Sequence, residues 1–336
     1  MTVTLESLGT TRELVMPSLR QAVDGLDPFT RTIVSYHLGW CDQNGIETSG
    51  GGKSIRPALV LLVSEAVCGS ATPAVRGAAA VEMVHNFSLL HDDIMDRDEE
   101  RRHRPTVWAV WGEPAAILAG DALLSLAHEV LASDASDNAQ CASGLLAEAT
   151  RELIRGQVLD LSYEKRDDVS LVECIDMEAA KTGALLAACG SIGAMLGGAD
   201  DRAVSAFADF GAQLGLAFQL VDDLLGIWGS PQTTGKPVYS DLAARKKTMP
   251  LVWCLENGGT YGERLAGWLC DDHDHSPDDL RTAADLIERA GGRDWAMTEA
   301  RACTDQALQT LTAAGVDEPY LRRFEDLARF IVDREW

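Results

Sequence analysis

Two acidic clusters in this sequence follow helical apolar patterns. In "HNFSLLHDDIMD", His85, Ser88, Asp92 and Asp96 fall at i, i+3, i+7 and i+11, which is one face of an α-helix, and Asp93 lies beside that face. Carboxylates one turn apart repel each other unless cations neutralise them. Oxygen ligands at this spacing are typical of Mg²⁺ that is shared with substrate phosphates. The spacing therefore indicates a metal site.

A solvated acidic helix end is the simpler alternative for this first cluster. The apolar residues Leu89, Leu90, Ile94 and Met95 alternate with the acids, however, and they indicate that the helix is buried. Unpaired carboxylates are costly to bury, so the pattern favours a cation-binding function over a solvated helix end.

A second acidic pair, Asp222 and Asp223, ends the apolar segment "AFQLVDD", with Gln219 one helical turn earlier. Two such helices facing each other would line a cavity with carboxylates inside a helix bundle. Either pair alone is weak evidence for a metal site, and the two together are much stronger.

Basic residues cluster near these acids, where they would bind anions. Lys53 and Arg56 lie in the Gly-rich "GGGKSIRP", where the free N–H groups at a helix start favour anions. The other basic candidates follow the two acidic clusters or interrupt apolar runs: Arg101, Arg102, Lys181, Lys236, Arg245, Lys246 and Lys247. The hydroxyl residue Thr182 follows Lys181 directly. Acids, metal and bases together predict a site for one or two polyphosphate groups.

The elements that must position these groups are helices. Apolar residues recur at spacings of three and four along most of the chain, and the alternating pattern of strands with hairpin turns is absent. We expect an all-α protein of about a dozen helices. The breaks at 42–54, 229–240 and 271–279 are typical of loops, and without a longer linker or a repeat they predict one domain over residues 1–336.

Composition excludes several classes of partner. The chain has 29 basic and 52 acidic residues and a net charge of -23, which argues against nucleic acid or an anionic membrane. Its eight scattered cysteines form no C-x-x-C pair and predict reduced, buried thiols. The N-terminus does not resemble a signal peptide, and no uninterrupted apolar run approaches the roughly 20 residues of a membrane span. We expect a cytoplasmic protein.

The motifs resemble those of trans-isoprenyl diphosphate synthases, the polyprenyl synthetase family. The matching segments occur in the family's order and approximate spacing over about residues 50–250: "GGGKSIRP", "HNFSLLHDDIMDRDEERRHRPTVW", "ILAGDALL", "KTGALL", "FQLVDD" and "GKPVYSDLAARKKTMPL". The resemblance implies a bundle of helices around a central cavity, the isoprenoid synthase type, and a homodimer. It also implies condensation of an allylic diphosphate with isopentenyl diphosphate, using three Mg²⁺ ions when substrate is bound.

The resemblance also assigns roles to residues. Asp92 and Asp96 would ligate Mg²⁺ at the allylic diphosphate with Asp93 in support, and Asp222 would hold a further Mg²⁺ with Asp223 nearby, so the implied metal residues are Asp92, Asp93, Asp96, Asp222 and Asp223. Gln219, also near Asp222, would belong to the substrate-binding residues. Arg101, Lys181, Thr182, Lys236 and Lys246 would contact the allylic diphosphate. Lys53, Arg56, His85 and Arg102 would bind isopentenyl diphosphate. Of these residues, the catalytic set is Asp92, Asp96, Lys181, Asp222 and Lys236.

Product length is expected to depend on Phe87 and Ser88, five and four residues before Asp92. An aromatic ring at the fifth position, with no insertion in the first motif, suggests by resemblance a C20 product, geranylgeranyl diphosphate. C15 farnesyl diphosphate is the next candidate, and C10 and C25 stay open. Phe87 would limit extension of the growing chain, while Ser88 leaves room for it.

The sequence departs from the family pattern at three positions. Gly226 stands where the second acidic motif usually ends in a third Asp, Ser54 replaces a base, and His103 replaces a common Gly. Two alternatives to a synthase stay open. A class I terpene cyclase would not need the isopentenyl-binding residues, and a non-catalytic partner subunit is favoured only by Gly226.

Overall fold

The computed structural model describes residues 2–48, 54–134, 136–231, 235, 237–271 and 275–333, with the backbone alone for residues 2–8. The α-helices are α1 (Thr2–Asp24), α2 (Pro28–His37), α3 (Ile55–Cys68), α4 (Val75–Met95), α5 (Val107–Trp111), α6 (Glu113–Ala132), α7 (Asp137–Tyr163), α8 (Leu171–Glu178), α9 (Ala184–Leu196), α10 (Asp201–Trp228), α11 (Ser240–Ala243), α12 (Met249–Asn257), α13 (Thr260–Leu269), α14 (Pro277–Ala290), α15 (Gly292–Ala313) and α16 (Glu318–Val332). A 3₁₀ turn at Thr72–Ala74 precedes α4, and a π-helical turn at Ala179–Gly183 joins α8 to α9. The prediction of an all-α protein is confirmed.

Local sequence determines several helix ends. Asp27 caps α2 by accepting hydrogen bonds from the backbone N–H groups of Phe29 and Thr30, and Pro28 occupies the first helical position. Ser170 and Glu173 form a reciprocal capping box at the start of α8. The free N–H groups at these helix starts thus find partners within a few residues.

The chain divides into two compact units, each built from several sequence segments. The first comprises Met1–Thr150, Ala188–Ala208 and Ala314–Arg323, and the second comprises Arg151–Ala187, Asp209–Ala313 and Phe324–Trp336. The single domain over 1–336 stays a prediction.

In the first unit, α4 packs mainly against α6 and also against α3 and α1. Small residues allow the close approach, since Ala116 and Ala119 of α6 and Ala79 of α4 are fully buried. The first acidic cluster lies at the C-terminal end of α4, where Asp93 is buried and Asp92 and Asp96 are half-buried.

A two-stranded hairpin follows α4 and was not predicted from the sequence. Strand β1 (Glu100–Arg101) pairs antiparallel with β2 (Arg104–Pro105). Arg104 fixes the hairpin to α2, because its guanidinium donates to the carbonyl oxygens of Tyr36 and Cys41 at 3.2 and 2.8 Å. Two-residue strands of charged side chains have no alternating pattern, so sequence periodicity does not reveal them.

In the second unit, one apolar core is shared by α10, α12, α13, α14 and α15. It includes the buried residues Leu224, Leu251, Leu265, Ile287 and Ala300. At its edge, Trp253 of α12 and Trp295 of α15 stack with ring centroids 5.6 Å apart. This core holds the C-terminal half of α10, which carries the second acidic pair.

All eight cysteines are free thiols, as predicted, but they are not all buried. Cys68, Cys141 and Cys270 are exposed, while the other five are buried. The expectation of buried thiols is therefore wrong for these three.

Three helical stretches among the described residues are long and apolar enough to cross a membrane, by length and composition. They are 113–132, 171–196 and 201–228, and 50%, 72% and 44% of their most apolar windows is buried inside the protein. Charged residues such as Asp121, Lys181 and Asp222 interrupt all three stretches, so the expectation that no uninterrupted apolar run approaches this length is not contradicted.

Candidate active site

The first acidic cluster lies at the C-terminal end of α4. Asp92 and Asp96 are both half-buried, and Asp96 is the C-cap residue, with its N–H donating to the Asp92 carbonyl at 2.8 Å. Ser88 is buried one turn before Asp92 and donates to the His85 carbonyl at 2.9 Å. The helical face predicted from the spacing is thus present, and its acidic end lies nearest to solvent. Met95 is 41% exposed, so the expectation that the apolar residues among the acids are buried is wrong for that residue.

Asp93 has a different environment from its two neighbours. Its side chain is 2% exposed, and Oδ1 accepts a 2.7 Å hydrogen bond from Nε of Arg101, which is 28% exposed. Burial raises the pKa of Asp93 to about 6, and the positive charge of Arg101 opposes that increase. Asp93 therefore positions Arg101 beside the acidic end of α4.

The turn between the hairpin strands brings Arg102 close to α4. Arg102 and His103 both have left-handed backbones, with φ of 54° and 60°, so they form the two central positions of a type I′ turn. Glycine is the residue best suited to such a position, so His103 adopts a backbone conformation that favours glycine.

Arg56 and His85 contact each other, as expected of residues with one ligand. The Arg56 guanidinium donates to Nε2 of His85 at 3.3 Å. Burial lowers the pKa of His85 well below its usual value, and the charges of Arg56 and Arg102 lower it further, so the ring is neutral. Lys53, predicted to act with them, lies outside the described residues.

Phe87 packs against a histidine rather than lying open. Its ring meets the His91 ring edge to face, with centroids 4.9 Å apart. The His91 ring lies 3.2 Å from the carbonyl oxygen of Ile117 and fills the space beside Gly120, where an added Cβ would overlap it. Gly120, in the "ILAGDALL" motif, thus makes room for the ring that supports Phe87.

In the second unit, a chain of hydrogen bonds joins three of the predicted site residues. Thr182 Oγ1 donates to Oε1 of Gln219 at 2.8 Å, and Nε2 of Gln219 donates to Oδ1 of Asp223 at 2.8 Å. Oδ2 of Asp223 accepts from the backbone N–H of Met249, also at 2.8 Å. Asp223 is therefore buried and linked to the start of α12.

Lys181 lies on the π-helical turn, a feature that is frequent at functional sites. Its ammonium group forms an ion pair with Asp160 of α7. An added Cβ at Gly156 would overlap the backbone of Lys181, so the glycine permits the turn to approach α7 closely. As predicted, this lysine is not a freely solvated surface residue.

Asp222 and Lys246 complete the described part of the second set. Asp222 is half-buried, unlike the adjacent Asp223. Lys246 is also half-buried, and its backbone N–H donates to the Asp241 carbonyl at 2.9 Å. Lys236 lies outside the described residues.

The carboxylates suit Mg²⁺ chemically. In the part of the chain that the structure describes, no three His, Cys, Asp or Glu side chains form a complete metal site by themselves. Mg²⁺ does not require one, because it is usually held by one or two carboxylates together with substrate phosphates and water. Two buried carboxylate oxygens, Asp93 Oδ2 and Glu178 Oε2, have no hydrogen-bond partner among the described residues, and a bound cation nearby would offset their burial.

Comparison with known proteins gives the family. The polyprenyl synthetase family profile matches residues 40–287. The chain is 52% identical to a (2E,6E)-farnesyl diphosphate synthase of Mycobacterium tuberculosis, covering 99% of this chain and 94% of the relative. The chain belongs to the polyprenyl synthetase family. It is a trans-prenyltransferase.

Two further comparisons agree with this assignment. A geranylgeranyl diphosphate synthase of Mycobacterium tuberculosis is 39% identical, over 95% of this chain and 91% of the relative. The crystal structure of a polyprenyl synthetase from Streptomyces coelicolor superposes with a TM-score of 0.92 at 49% identity, covering 98% of this chain and 99% of the other. The fold is the all-α isoprenoid synthase fold of the polyprenyl synthetases.

Several residues around the two acidic clusters were missed in the sequence analysis. Glu82 lies near Arg56 and Arg102, whose charges oppose the burial that raises its pKa. Glu178 is buried near Asp223, and Asp160 pairs with Lys181. Each is a single acid in a helical segment without a repeating signal, so only the tertiary structure reveals its partner.

Proposed function

We propose that this polyprenyl synthetase uses Mg²⁺ to condense an allylic diphosphate with isopentenyl diphosphate to give a trans-polyprenyl diphosphate. One observation carries the proposal: residues assigned to the allylic diphosphate and residues assigned to isopentenyl diphosphate lie on the same helix, α4. His85, bonded to Arg56, and Asp92 lie seven residues apart, about 10 Å along the helix axis at ~1.5 Å per residue. That spacing suits two diphosphates held side by side.

In the first unit, Asp92 and Asp96 bind Mg²⁺ that holds the allylic diphosphate. Arg101, fixed by Asp93, adds a guanidinium for the same group. Arg56, His85, Arg102 and Lys53 bind the diphosphate of isopentenyl diphosphate. The neutral His85 ring accepts from Arg56 and therefore orients that guanidinium.

In the second unit, Asp222 binds a further Mg²⁺. Lys181, Lys236 and Lys246 bind the allylic diphosphate, and the π-helical turn fixes the backbone that carries Lys181. Thr182, Gln219 and Asp223 hold one another by hydrogen bonds and so keep α10 in register with that turn. We assign Asp223 and Gln219 a positioning role, since Asp223 is buried and its two carboxylate oxygens accept hydrogen bonds from Gln219 and from the backbone N–H of Met249.

The proposed positions of the charged residues account for the steps of the reaction. Asp92, Asp96 and Asp222 would hold Mg²⁺, which would supply positive charge for the pyrophosphate that leaves the allylic carbon. The lysines and Arg101 hold the leaving group, while the bases around His85 hold isopentenyl diphosphate so that its double bond can attack the allylic cation. The departing pyrophosphate takes the proton that is lost, so none of these side chains needs to act as a base.

We propose a C20 product, geranylgeranyl diphosphate. The support is that Ser88, the residue one turn from Asp92, is small, while the Phe87 ring, which would limit further extension, is held in place by its contact with His91. C15 farnesyl diphosphate is the second candidate, because a relative at 52% identity is a farnesyl diphosphate synthase.

We further propose a cytoplasmic homodimer that binds no nucleic acid and does not span a membrane. The net charge of -23 disfavours nucleic acid and anionic lipid. Ile117 and Leu118 of α6 are 43% and 63% exposed, and adjacent exposed apolar side chains are common at subunit interfaces.

The test is product analysis with the purified chain alone. Labelled isopentenyl diphosphate, Mg²⁺ and dimethylallyl, geranyl or farnesyl diphosphate are incubated, and products are separated by chain length before and after phosphatase treatment. We expect a C20 diphosphate from all three allylic substrates. Accumulation of C15 would favour the second candidate. A hydrocarbon formed without isopentenyl diphosphate would indicate a cyclase, and absence of any product would indicate a partner subunit.

A further inference from the structure

Position 226 lacks the third carboxylate that usually ends the second acidic motif. A carboxylate from another helix lies beside this position instead. Gly226 lies four residues after Asp222 on α10, so both positions are on the same helical face. A Cβ added at Gly226 would overlap the carboxylate of Asp241, which comes from α11. The carboxylate of Asp241 thus lies where a side chain at position 226 would begin.

Several contacts hold α11 against the end of α10. The N–H of Tyr239 donates to the Ile227 carbonyl at 3.2 Å, and Oγ of Ser240 donates to the Gly226 carbonyl at 3.4 Å. Tyr239 has a left-handed backbone with φ of 66°, which produces the sharp turn into α11. Backbone contacts at the start of α11 and at the end of α10 therefore hold Asp241 close to Gly226.

The charge of Asp241 acts on the same group of carboxylates. Asp222, Asp223 and Gly226 all lie near the C-terminal end of α10, and the Asp241 carboxylate meets that end of the helix at Gly226. Glu178, buried beside this group, has an oxygen with no hydrogen-bond partner among the described residues. A concentration of negative charge with an unsatisfied buried oxygen is the environment that a divalent cation stabilises.

We propose that Asp241 supplies the third carboxylate of the second acidic motif, in place of the aspartate that Gly226 replaces. This inference rests on the proposed function, since it concerns the Mg²⁺ that Asp222 binds with the allylic diphosphate. A side chain at position 226 would require the Asp241 carboxylate to move, whereas glycine at 226 leaves room for it. Gly226 is thus part of the metal-binding arrangement and does not indicate a non-catalytic subunit.

Four variants test the relation between Asp241 and position 226. Asp241→Asn removes the charge with little change in shape, and Gly226→Asp adds a carboxylate where Asp241 already lies. The double variant Gly226→Asp/Asp241→Gly moves the carboxylate back to α10. Asp209→Asn, an exposed acid on the same helix, is the matched control.

Two measurements are made on each folded variant. The first counts Mn²⁺ ions bound in the presence of inorganic pyrophosphate by electron paramagnetic resonance, and the second measures the Mg²⁺ concentration for half-maximal turnover. We expect Asp241→Asn and Gly226→Asp to bind fewer ions and to need about ten- to a hundredfold more Mg²⁺. The double variant should recover most of the loss, and the control should match the wild type.

Unchanged ion count and Mg²⁺ requirement in Asp241→Asn would overturn the inference. Failure of the double variant to bind better than Gly226→Asp would overturn it as well. These results are distinct from a failure of the proposed function, in which the wild-type chain itself would make no polyprenyl diphosphate.

Discussion

Nε of Arg101 donates a 2.7 Å hydrogen bond to Oδ1 of Asp93, and the carboxylate of Asp93 is almost fully buried. The adjacent Asp92 is half-buried. Two neighbouring acids of one motif therefore differ: Asp93 holds a guanidinium, and Asp92 is the proposed Mg²⁺ ligand.

This difference predicts different effects of two isosteric substitutions. Asp92→Asn should lower kcat by about a hundred- to a thousandfold, because it removes a ligand of the ion that stabilises the leaving group. Asp93→Asn should leave the number of bound Mn²⁺ ions unchanged and raise KM for the allylic substrate through loss of Arg101 positioning. Steady-state kinetics and ion counting separate the two. Equal loss of bound ions in both variants would contradict the assignment.

The hydrogen bonds from Thr182 through Gln219 to Asp223 predict a stability effect. Gln219→Leu should lower the free energy of unfolding by about 1–3 kcal/mol, because it leaves the buried Asp223 with one hydrogen bond fewer. Urea unfolding measures the change, with Gln306→Leu on the exposed face of α15 as the control. A variant as stable as the control would show that this network contributes little.

The contact between Phe87 and His91 predicts effects on product length. Phe87→Ala should give longer products, because it removes the ring that limits extension. His91→Ala should broaden the product distribution, because it removes the ring against which Phe87 packs. Chromatography of the dephosphorylated alcohols measures both, with Phe29→Ala, an exposed residue of α2, as the control. An unchanged product in Phe87→Ala would show that another residue limits chain length.

The left-handed backbone at His103 predicts a contrast between two substitutions. His103→Val should destabilise the turn by about 1–2 kcal/mol, because β-branched residues are strongly disfavoured at positive φ. His103→Gly should not. Because Arg102 shares the turn, the valine variant should also raise KM for isopentenyl diphosphate, while the glycine variant keeps the wild-type value. Thermal unfolding and KM together test this, and identical values for the two variants would be inconsistent with it.

The sequence predicts best what lies within one helix. The spacing of His85, Ser88 and Asp92 was sufficient to predict that they share one face of α4, because helical periodicity alone determines it. The pairing of Thr182 with Gln219 joins residues 37 positions apart, and no local pattern encodes it. The approach of Asp241 to Gly226 depends on the left-handed turn at Tyr239, so the sequence showed only that a carboxylate was missing from its usual place.

The central claim is that the chain condenses an allylic diphosphate with isopentenyl diphosphate. The most direct test asks whether pyrophosphate release is coupled to the consumption of isopentenyl diphosphate. Pyrophosphate release and consumption of isopentenyl diphosphate are measured in the same reaction, with and without Mg²⁺. We expect one pyrophosphate for each isopentenyl diphosphate consumed, and neither event once the metal is chelated. Pyrophosphate release that continues without isopentenyl diphosphate, or consumption that persists after chelation, would contradict the account.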